Sequence, residues 1–498
     1  MNAPFSADAL ASLRADLAAA PRRLFIDGAF RPAVSGETFE VIDPATGRVF
    51  ASAASGGAAD IDLAVQAARR VFEGSWARTT PATRARLLIR LAELIEADGE
   101  AIALTETLDN GMPFMMAKFA AVMGAAEQLR YNAGWATKIT GETMDVSWPG
   151  EWQAFSLREP VGVVGAIVPW NFPFVMAVAK IAPALAAGCT VVLKPAEQTP
   201  LSAARLGALI AEAGFPEGAV NIVTGFGETA GAALVDHPGV DKVSFTGSTA
   251  VGKAIVRAST GNLKRVTLEL GGKSPVVIFP DADLDKAIPA AAMGIFGNSG
   301  QVCAAGSRLF VHEKVYDRVV EGIAARAAAL KVGAGIAPGT EMGPLVSQEQ
   351  LDRVLGYIGS GAGEGAAIGV GGARIAGEGY FVQPTVLTGT ASGMKVVEEE
   401  IFGPVLCAMR FGDDDVDAIA RSANATEYGL SSAIWTRDIS SALKLARRLR
   451  AGTVRINGGG GVDPAMPLGG YKQSGWGREN GRAGVEAYTE LKAVTIGL

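Results

Sequence analysis

Cysteine and histidine are scarce in this sequence of 498 residues, which contains three cysteines and two histidines. Three thiols cannot build a disulfide framework, and so few thiols and imidazoles cannot supply a metal site of the Cys/His type. The N-terminal stretch "MNAPFSADAL" also lacks the basic segment and apolar run that mark a signal peptide. We therefore predict a cytoplasmic protein with no bound metal ion.

An excess of basic charge is also absent, because the net charge is −6 and no run of Lys or Arg exceeds two residues. This acidic balance predicts that nucleic acid is not a partner. The stretch 161–179 carries no charge, as a membrane span would. However, it contains Asn171 between Pro169 and Pro173, which would break a helix and leave polar groups in lipid. We expect a buried strand, a turn and a buried helix there, and no membrane partner.

Short apolar, β-rich runs alternate with helical segments from about residue 160 onward. The runs form two sets, 161–168, 190–194, 220–223, 242–246 and 265–270, then 275–279, 309–312, 404–411 and 452–457. Strands separated by helices predict right-handed crossovers and parallel sheets, which hold ligands at the carboxyl ends of the strands. The sequence therefore predicts an α/β fold with two α/β units that meet near Gly271 and Gly272.

Capping residues predict where several helices start. Thr80 followed by Pro81 is typical of an N-cap with proline in the first turn. By the same reasoning, we expect Asp60 to be the N-cap of a helix whose apolar face includes Ile61 and Val65, and Thr199 with Pro200 to cap a later helix.

Polar motifs follow several of the predicted strands. In "PWNFP", Asn171 could donate to a developing oxyanion or could satisfy its own turn. In "LKPAEQTP", Lys194 and Glu197 could hold ribose hydroxyls or form a solvated loop pair. In "FTGSTAVG", Gly247 and Ser248 precede a helix and are typical of either a phosphate-binding turn or a simple N-cap.

The stretch "GFGETAG" at 225–231 nearly matches a dinucleotide-binding fingerprint, because it follows a strand and opens a helix. Its spacing is G-x-G-x-x-x-G instead of G-x-G-x-x-G. It therefore indicates either a cofactor contact or an ordinary strand-to-helix turn.

Two further stretches carry reactive side chains. Glu269 in "LELGGKSP" is either a buried general base, with a pKa that burial raises, or an exposed charge at a strand end. Cys189 and Cys407 lie in apolar stretches and are expected to be buried small hydrophobic residues. Cys303 lies among small polar residues in "GNSGQVCAAGSR", which favours a nucleophile over a packing residue.

These motifs, in this order, resemble those of the NAD(P)-dependent, non-acylating aldehyde dehydrogenase superfamily. "PWNFP", "KPAEQTP", "FTGST", "LELGGKSP", "GQVCAAGSR" and "EEIFGPV" carry the resemblance, which extends from about residue 25 to 498. It implies a Rossmann-like NAD-binding domain, an α/β catalytic domain and a small β oligomerisation arm. Their expected ranges are 1–141 with 161–271, then 272–480, and finally 142–160 with 481–498. The arm implies a homo-oligomer, either a dimer or a tetramer.

The resemblance also implies a role for each catalytic residue. Cys303 would attack the aldehyde carbon, and Asn171 with the Cys303 N–H would hold the oxyanion of the thiohemiacetal. Glu269 would activate the water that hydrolyses the resulting thioester. Lys180 and Glu479 would relay protons from Glu269.

The expected cofactor is NAD, with NADP disfavoured because the Glu197 carboxylate would repel a 2′-phosphate. The cofactor contacts implied by the resemblance are Trp170, Lys194, Glu197, Gly227, Phe245, Gly247, Ser248, Leu270, Gln350, Glu400 and Phe402.

The substrate is expected to be a bulky apolar or aromatic aldehyde, similar to phenylacetaldehyde. Ala179, Gly297 and the glycines at 458–461 stand where many relatives carry larger side chains around the substrate tunnel. The walls stay apolar through Phe172, Phe174, Met176 and Val302. A coenzyme A-acylating dehydrogenase and a non-catalytic binding or structural protein on this fold are the alternatives.

Overall fold

The computed structural model describes residues 4–412, 415–459, 461 and 463–498. The first of its two large sheets consists, in spatial order, of Gly475–Trp476, Arg265–Glu269, Lys242–Thr246, Val163–Ile167, Thr190–Lys194, Val220–Ile222, Leu24–Ile26 and Ala29–Arg31. The central strands, from Arg265–Glu269 to Val220–Ile222, run parallel to one another. The outer strands pair antiparallel.

The strand order of the first sheet reverses at Val163–Ile167. The chain continues on one side of this strand with Thr190–Lys194 and later returns on its other side with Lys242–Thr246. Such a reversal opens a crevice at the carboxyl ends of the strands, where α/β proteins bind ligands. The three polar motifs that contain Asn171, Lys194 and Ser248 all begin at this edge.

The second large sheet consists of Ala367–Val370, Thr385–Thr388, Val405–Phe411, Arg308–His312, Pro275–Ile278, Ser431–Trp435 and Thr453–Ile456. Its strands are parallel except for Ala367–Val370, which pairs antiparallel with Thr385–Thr388. The predicted α/β fold with parallel sheets is therefore confirmed.

Both faces of each large sheet are covered by apolar side chains. In the first sheet Val164 packs in one core cluster while its neighbour Val163 packs in another. In the second sheet Val277 and Ile278 divide in the same way. This alternation explains why the strands appear as continuous apolar runs in the sequence.

The smaller sheets are antiparallel. One joins Thr489–Gly497, Trp152–Pro160 and Thr143–Met144, and the other pairs Thr38–Asp43 with Arg48–Ala54. The first contains the segments predicted to form the oligomerisation arm. Gly475–Trp476 pairs with the first large sheet although it lies within the range predicted for the catalytic domain, and the division into domains stays a prediction.

The α-helices surround the sheets. Their bounds are Ala7–Ala19, Ala58–Glu73, Pro81–Ala97, Gly99–Asn110, Phe114–Ala117, Ala125–Trp135, Pro173–Ala187, Leu201–Ala213, Ala232–Asp236, Thr249–Ser259, Leu284–Phe296, Tyr316–Ala329, Gln348–Gly363, Lys395–Glu398, Val416–Asn424, Ile439–Arg448 and Gly481–Glu486. Within the described ranges, none of these helices has the length and apolar character needed to cross a membrane.

The structure confirms one predicted helix cap and corrects two. Thr80 caps Pro81–Ala97 and accepts from the Thr83 N–H. Asp60 is not an N-cap, because its helix starts earlier and its carboxylate instead accepts the N–H groups of Gly57 and Val34. Thr199 does not cap Leu201–Ala213 either. The carboxylate of Asp109, from another helix, accepts the Leu201 N–H at 2.8 Å.

Candidate active site

Cys303 lies half-buried in a tight loop that follows the helix Leu284–Phe296. Asn298 and Ser299 both have left-handed backbones, with φ of 49° and 56°. A Cβ atom on Gly300 would stand 2.1 Å from the Gly403 carbonyl oxygen, so only glycine fits there. The close approach of Gly403 to Gly300 therefore fixes the path of the backbone that leads to Cys303.

Asn171 is 3% exposed and reaches the same loop. Its amide donates to the Gln301 carbonyl at 2.8 Å, and its own carbonyl accepts from the Asn298 amide at 2.9 Å. These two bonds tie the end of the strand Val163–Ile167 to the loop of Cys303. The second N–H of the Asn171 amide is left to donate to a ligand at the thiol.

Glu269 ends the strand Arg265–Glu269 and is 4% exposed, so it is not the exposed strand-end charge of the alternative interpretation. Its Oε1 atom has no hydrogen-bond partner among the described residues. Burial raises the pKa of this carboxyl well above its usual range, and the charge of Glu479 raises it further, whereas Lys180 lowers it. A carboxyl whose pKa is raised holds a proton more readily than an exposed one, as a general base must.

The structure brings Lys180 and Glu479 together behind Glu269. The fully buried Lys180 ammonium forms an ion pair with the Glu479 carboxylate, and Ser244 Oγ lies 3.2 Å from Lys180 Nζ and 3.3 Å from Glu479 Oε1. The pairing of Gly475 with Glu269 at the sheet edge brings this C-terminal segment close. The three ionisable groups therefore form one buried cluster.

Two glycines after Glu269 allow other groups to approach closely. A Cβ atom on Gly271 would stand 2.4 Å from Glu400 Oε2, and one on Gly272 would stand 2.3 Å from the Cys303 carbonyl oxygen. The Gly272 N–H donates to Glu400 Oε1 at 2.9 Å. The 271–272 turn therefore sets the position of both Cys303 and Glu400.

The thiol of Cys303 is surrounded by acids. Burial, together with the negative charges of Glu269 and Glu400, raises the pKa of Cys303 to about 12. Backbone N–H groups of Cys303 and Ala304 act in the opposite direction. The resting group is therefore a neutral thiol, and a base must take its proton when it attacks.

Lys194 and Glu197 form an ion pair at the mouth of the crevice. Lys194 Nζ lies 2.7 Å from Glu197 Oε2, and the Lys194 side chain is 3% exposed against 30% for Glu197. Burial lowers the pKa of Lys194. The exposed edge of Glu197 is the part of this pair that can still accept hydrogen bonds from a ligand.

Ser248 is the N-cap of Thr249–Ser259, and its Oγ accepts from the Val251 N–H. Its own hydroxyl proton and the free N–H groups of the first turn remain available to a phosphate. Gly247 packs on the buried ring of Phe245, to which a Cβ atom would come within 2.4 Å. Leu270 is buried next to this helix, and its N–H donates to the Ser474 carbonyl.

Gln350, Phe402 and Trp170 join the two large sheets across the crevice. The Gln350 amide donates to the Phe402 carbonyl at 2.8 Å, and Phe402 has a left-handed backbone with φ of 59°. The rings of Phe402 and Trp170 meet edge to face at 5.2 Å. The Trp170 carbonyl accepts from the Asn110 amide at 2.7 Å, which fixes the loop that carries Asn171.

The stretch 225–231 differs from a fingerprint loop. Gly227 is exposed at the start of a π-helical turn, and a Cβ atom there would meet nothing within 4 Å. Gly225 is the restricted position, because a Cβ atom would stand 2.5 Å from the Gly56 carbonyl oxygen. Position 225 is therefore restricted to glycine because the segments around Gly225 and Gly56 pack against each other, and not because a ligand approaches it.

Two methionines lie next to Gly297, six residues before Cys303. A Cβ atom on Gly297 would touch Met293 Sδ at 3.4 Å and Met116 Cε at 3.8 Å, which are ordinary contact distances. Met293 is 67% exposed. Of the other predicted wall residues, Phe174 is buried and Phe172, Met176, Ala179 and Val302 are half-buried. The prediction for 458–461 includes Gly460, which lies outside the described residues.

Sequence reasoning missed Gly475, Gln301 and Lys273. Gly475 allows the pairing with Glu269, because a Cβ atom would stand 2.0 Å from the Leu268 carbonyl oxygen. Gln301 provides the carbonyl that holds Asn171. Lys273 is fully buried behind Glu400. The one sequence signal for these positions is their closeness in the chain to the conspicuous Glu269, Cys303 and Glu479.

Comparisons with known proteins agree over almost the whole chain. The family described as "Aldehyde dehydrogenase family" matches residues 30–494. An aldehyde dehydrogenase of Enchytraeus buchholzi is 50% identical over 477 residues, which are 95% of this chain and 95% of that protein. The NAD+ complex structure of aldehyde dehydrogenase from Bacillus cereus has a TM-score of 0.96 at 48% identity and covers 100% of both chains. A mutant of P. syringae AldA indole-3-acetaldehyde dehydrogenase, in complex with NAD+ and IAA, has a TM-score of 0.94 at 42% identity, covering 98% of this chain and 99% of that one.

Proposed function

The chain belongs to the aldehyde dehydrogenase family and is an NAD-dependent oxidoreductase, and on this premise we propose that it converts a bulky aldehyde to the acid through a thioester on Cys303. The observation that carries this proposal is the meeting of Cys303, Asn171 and the buried, unpaired Glu269 at the carboxyl ends of the strands. Its membership of an enzyme family argues against the non-catalytic alternative.

Cys303 is the nucleophile of the first step. Its proton passes to a base while Sγ forms a bond to the aldehyde carbon, and the carbonyl oxygen becomes an oxyanion. The free N–H of Asn171 and the N–H of Cys303 donate to that oxyanion, which stabilises its charge. A bound NAD would supply the acceptor for the hydride of the same carbon, and the carbon would then remain on Cys303 as a thioester.

Glu269 acts on the water of the second step. Its unpaired Oε1 takes a proton as the water oxygen attacks the thioester carbon, and the C–S bond then breaks to release the carboxylic acid and the Cys303 thiolate, which takes its proton back from that acid. Lys180 and Glu479 give that proton a buried route away from Glu269. This role of Glu269 favours hydrolysis over transfer of the acyl group to coenzyme A.

The residues at the crevice fit a dinucleotide. The exposed oxygen of Glu197 can accept from the adenosine ribose hydroxyls, and Lys194 can donate to them. Ser248 and the helix start behind it suit the pyrophosphate, with Phe245, Gly247 and Leu270 packed next to them. Gly227 is proposed as a further contact of the cofactor. Trp170, Gln350, Glu400 and Phe402 lie on the nicotinamide side. Because Glu197 would repel a 2′-phosphate, we propose a preference for NAD over NADP.

The proposed substrate is a bulky apolar or aromatic aldehyde. The small side chains at Gly297 and Ala179, together with the flexible and polarisable side chains of Met116 and Met293 that lie next to Gly297, suit a broad apolar group. The indole-3-acetaldehyde dehydrogenase among the structural relatives supports this choice.

NADH formation from a panel of aldehydes tests the proposal. We expect phenylacetaldehyde-like compounds to have a higher kcat/KM than acetaldehyde, and we expect Gly297→Phe to remove that advantage while acetaldehyde turnover persists. Turnover should vanish in Cys303→Ala. A preference of the wild type for acetaldehyde or for a charged aldehyde would refute the substrate class.

Product analysis separates hydrolysis from the acylating alternative. The free acid should form at the same rate with and without coenzyme A, because Glu269 supplies the water. Formation of an acyl-coenzyme A would refute the hydrolytic role of Glu269.

We also propose a cytoplasmic homodimer or homotetramer assembled through the sheet of Thr489–Gly497 and Trp152–Pro160. The exposed Trp148, Trp152 and Leu491 on and next to this sheet support an interface. Sedimentation of the purified chain would give the number of subunits.

A further inference from the structure

We propose that Lys273 is a positioning residue for Glu400. Its buried ammonium keeps the Glu400 carboxylate charged and docked on the 271–272 turn, ready for the cofactor ribose. This inference rests on the proposed function, which assigns Glu400 to the nicotinamide side of NAD.

The position of Lys273 is the first observation. It follows the two glycines that pack on Glu400, where the Gly272 N–H donates to Glu400 Oε1 at 2.9 Å and Gly271 lies against the same carboxylate. Lys273 also anchors this turn to the second sheet, because its carbonyl accepts from Arg308 Nε at 2.9 Å. The backbone of the turn is therefore held on both sides.

The side chain of Lys273 is the second observation. Lys273 is 1% exposed, and its Nζ atom has no hydrogen-bond partner among the described residues. A buried ammonium without a direct partner is costly unless nearby acids compensate its charge. Direct hydrogen bonds therefore do not offset the cost of burying the Lys273 ammonium.

The groups around this ammonium indicate what compensates it. Burial lowers the pKa of Lys273 to about 8; Cys407 acts in the opposite direction, Arg308 lowers the pKa further, and the acids Glu400 and Glu399 raise it. Glu399 already accepts from the Tyr357 hydroxyl at 2.7 Å. Glu400 is the acid whose carboxylate faces the turn, so it is the natural counter-charge.

Glu400 in turn needs a positive neighbour. Burial raises the pKa of its carboxyl, while the Gly272 N–H, Lys273 and Arg353 lower it. Arg353 is already engaged, because it donates to the Glu400 backbone carbonyl at 2.7 Å. Cys303 and Tyr428 lie on the other side, and the negative charge of Glu400 contributes to raising the pKa of each. Removing the Lys273 charge should therefore favour the protonated acid, which binds ribose hydroxyls less well.

A double-mutant cycle on the full-length protein tests this relation. NAD titration would give Kd for the wild type, Lys273→Met, Glu400→Gln and the double variant. We expect each single change to weaken NAD binding about tenfold, the worth of a hydrogen bond to a charged group. The double variant should bind no worse than Glu400→Gln within about twofold, because Lys273 acts through Glu400.

The pH dependence separates this role from simple packing. In Lys273→Met the loss of NAD affinity on the acid side should begin at higher pH than in the wild type, and Lys273→Arg should restore the profile. Lys264→Met is the matched control, because Lys264 is also a buried lysine but bonds the Val235 and His237 carbonyls at the far end of the strand. Its NAD affinity and pH profile should match the wild type.

The outcomes are distinguishable. Independent, multiplicative losses in the double variant, or an unchanged Kd in Lys273→Met while Glu400→Gln is weakened, would overturn the inference alone. An unchanged Kd in Glu400→Gln would overturn the assignment of Glu400 in the proposed function as well. If Lys273→Met does not fold, Lys273→Gln takes its place in the same cycle.

Discussion

Gly272→Ala should damage catalysis far more than its single added methyl group suggests. The new Cβ atom would stand 2.3 Å from the Cys303 carbonyl oxygen and 3.3 Å from Leu430 Cβ. Contacts of this kind are not found below about 3.0 Å, so the backbone at Cys303 or at the turn must move by roughly 0.7 Å. Overpacking of this size costs about 1–3 kcal/mol of stability.

The displaced atom is the backbone of the nucleophile, so the loss should appear in kcat. A displacement approaching 1 Å at a reacting group can cost about 100-fold in rate. We expect Gly272→Ala to lower kcat/KM for a good aldehyde by roughly 10- to 100-fold, in steady-state NADH assays at saturating NAD. Thermal unfolding of the same sample would show whether the protein remains folded at the assay temperature.

Gly359→Ala is the matched control for this experiment. Gly359 lies on the exposed side of the helix Gln348–Gly363, and a Cβ atom there would meet nothing within 4 Å. Alanine in a helix should add about 0.5–1 kcal/mol of stability and leave kcat unchanged. If Gly272→Ala keeps kcat/KM within a factor of two of this control, the turn does not position Cys303.

Three other predictions concern the same cluster. Gly271→Ala should raise KM for NAD more than it lowers kcat, because its Cβ atom would displace the Glu400 carboxylate and not the thiol, as steady-state kinetics would show. Lys180→Met removes the charge that lowers the pKa of Glu269, so the acid limb of the kcat–pH profile should move to higher pH. An unchanged acid limb would show that Lys180 does not act on the pKa of Glu269. Without cofactor, alkylation of Cys303 by iodoacetamide should rise about tenfold per pH unit from pH 7 to 9, because its pKa is about 12, and a plateau in that range would contradict this protonation state.

The central strands of the first large sheet were predictable because they are buried on both faces. The sequence did not predict Ala367–Val370, Thr385–Thr388 and Ser431–Trp435 of the second sheet. Thr190–Lys194 and Lys242–Thr246 match their predicted bounds, since a continuous apolar run ends where the sheet meets the crevice. The wrong helix caps have a different origin. Asp60 bonds Val34 and Asp109 bonds Leu201, and neither partner is visible from local sequence.

Motifs in the sequence select the candidate site residues, and that selection stays a prediction, but they do not show which residues contact them. A motif indicates that Glu269 carries chemistry, yet the antiparallel pairing with Gly475 that brings Glu479 close joins segments some 200 residues apart. Lys273 looks like an ordinary surface lysine in the sequence, and only the packing shows its buried ammonium. Residue identity is local information, whereas burial and charge compensation depend on the tertiary fold.

The acids around Cys303 explain how a site without histidine can activate a thiol. A histidine partner would stabilise a resting thiolate, whereas Glu269 and Glu400 disfavour one and keep the sulfur neutral at physiological pH. The same carboxylates would attract the cationic nicotinamide ring of a bound cofactor, and its positive charge would favour the thiolate. The pKa of Cys303 should then fall only when the cofactor is bound. Coupling the activation of the nucleophile to cofactor binding would protect the Cys303 thiol from oxidation, and from unproductive attack on aldehydes, while the cofactor is absent. This protection is a physical reason for placing acids next to the thiol.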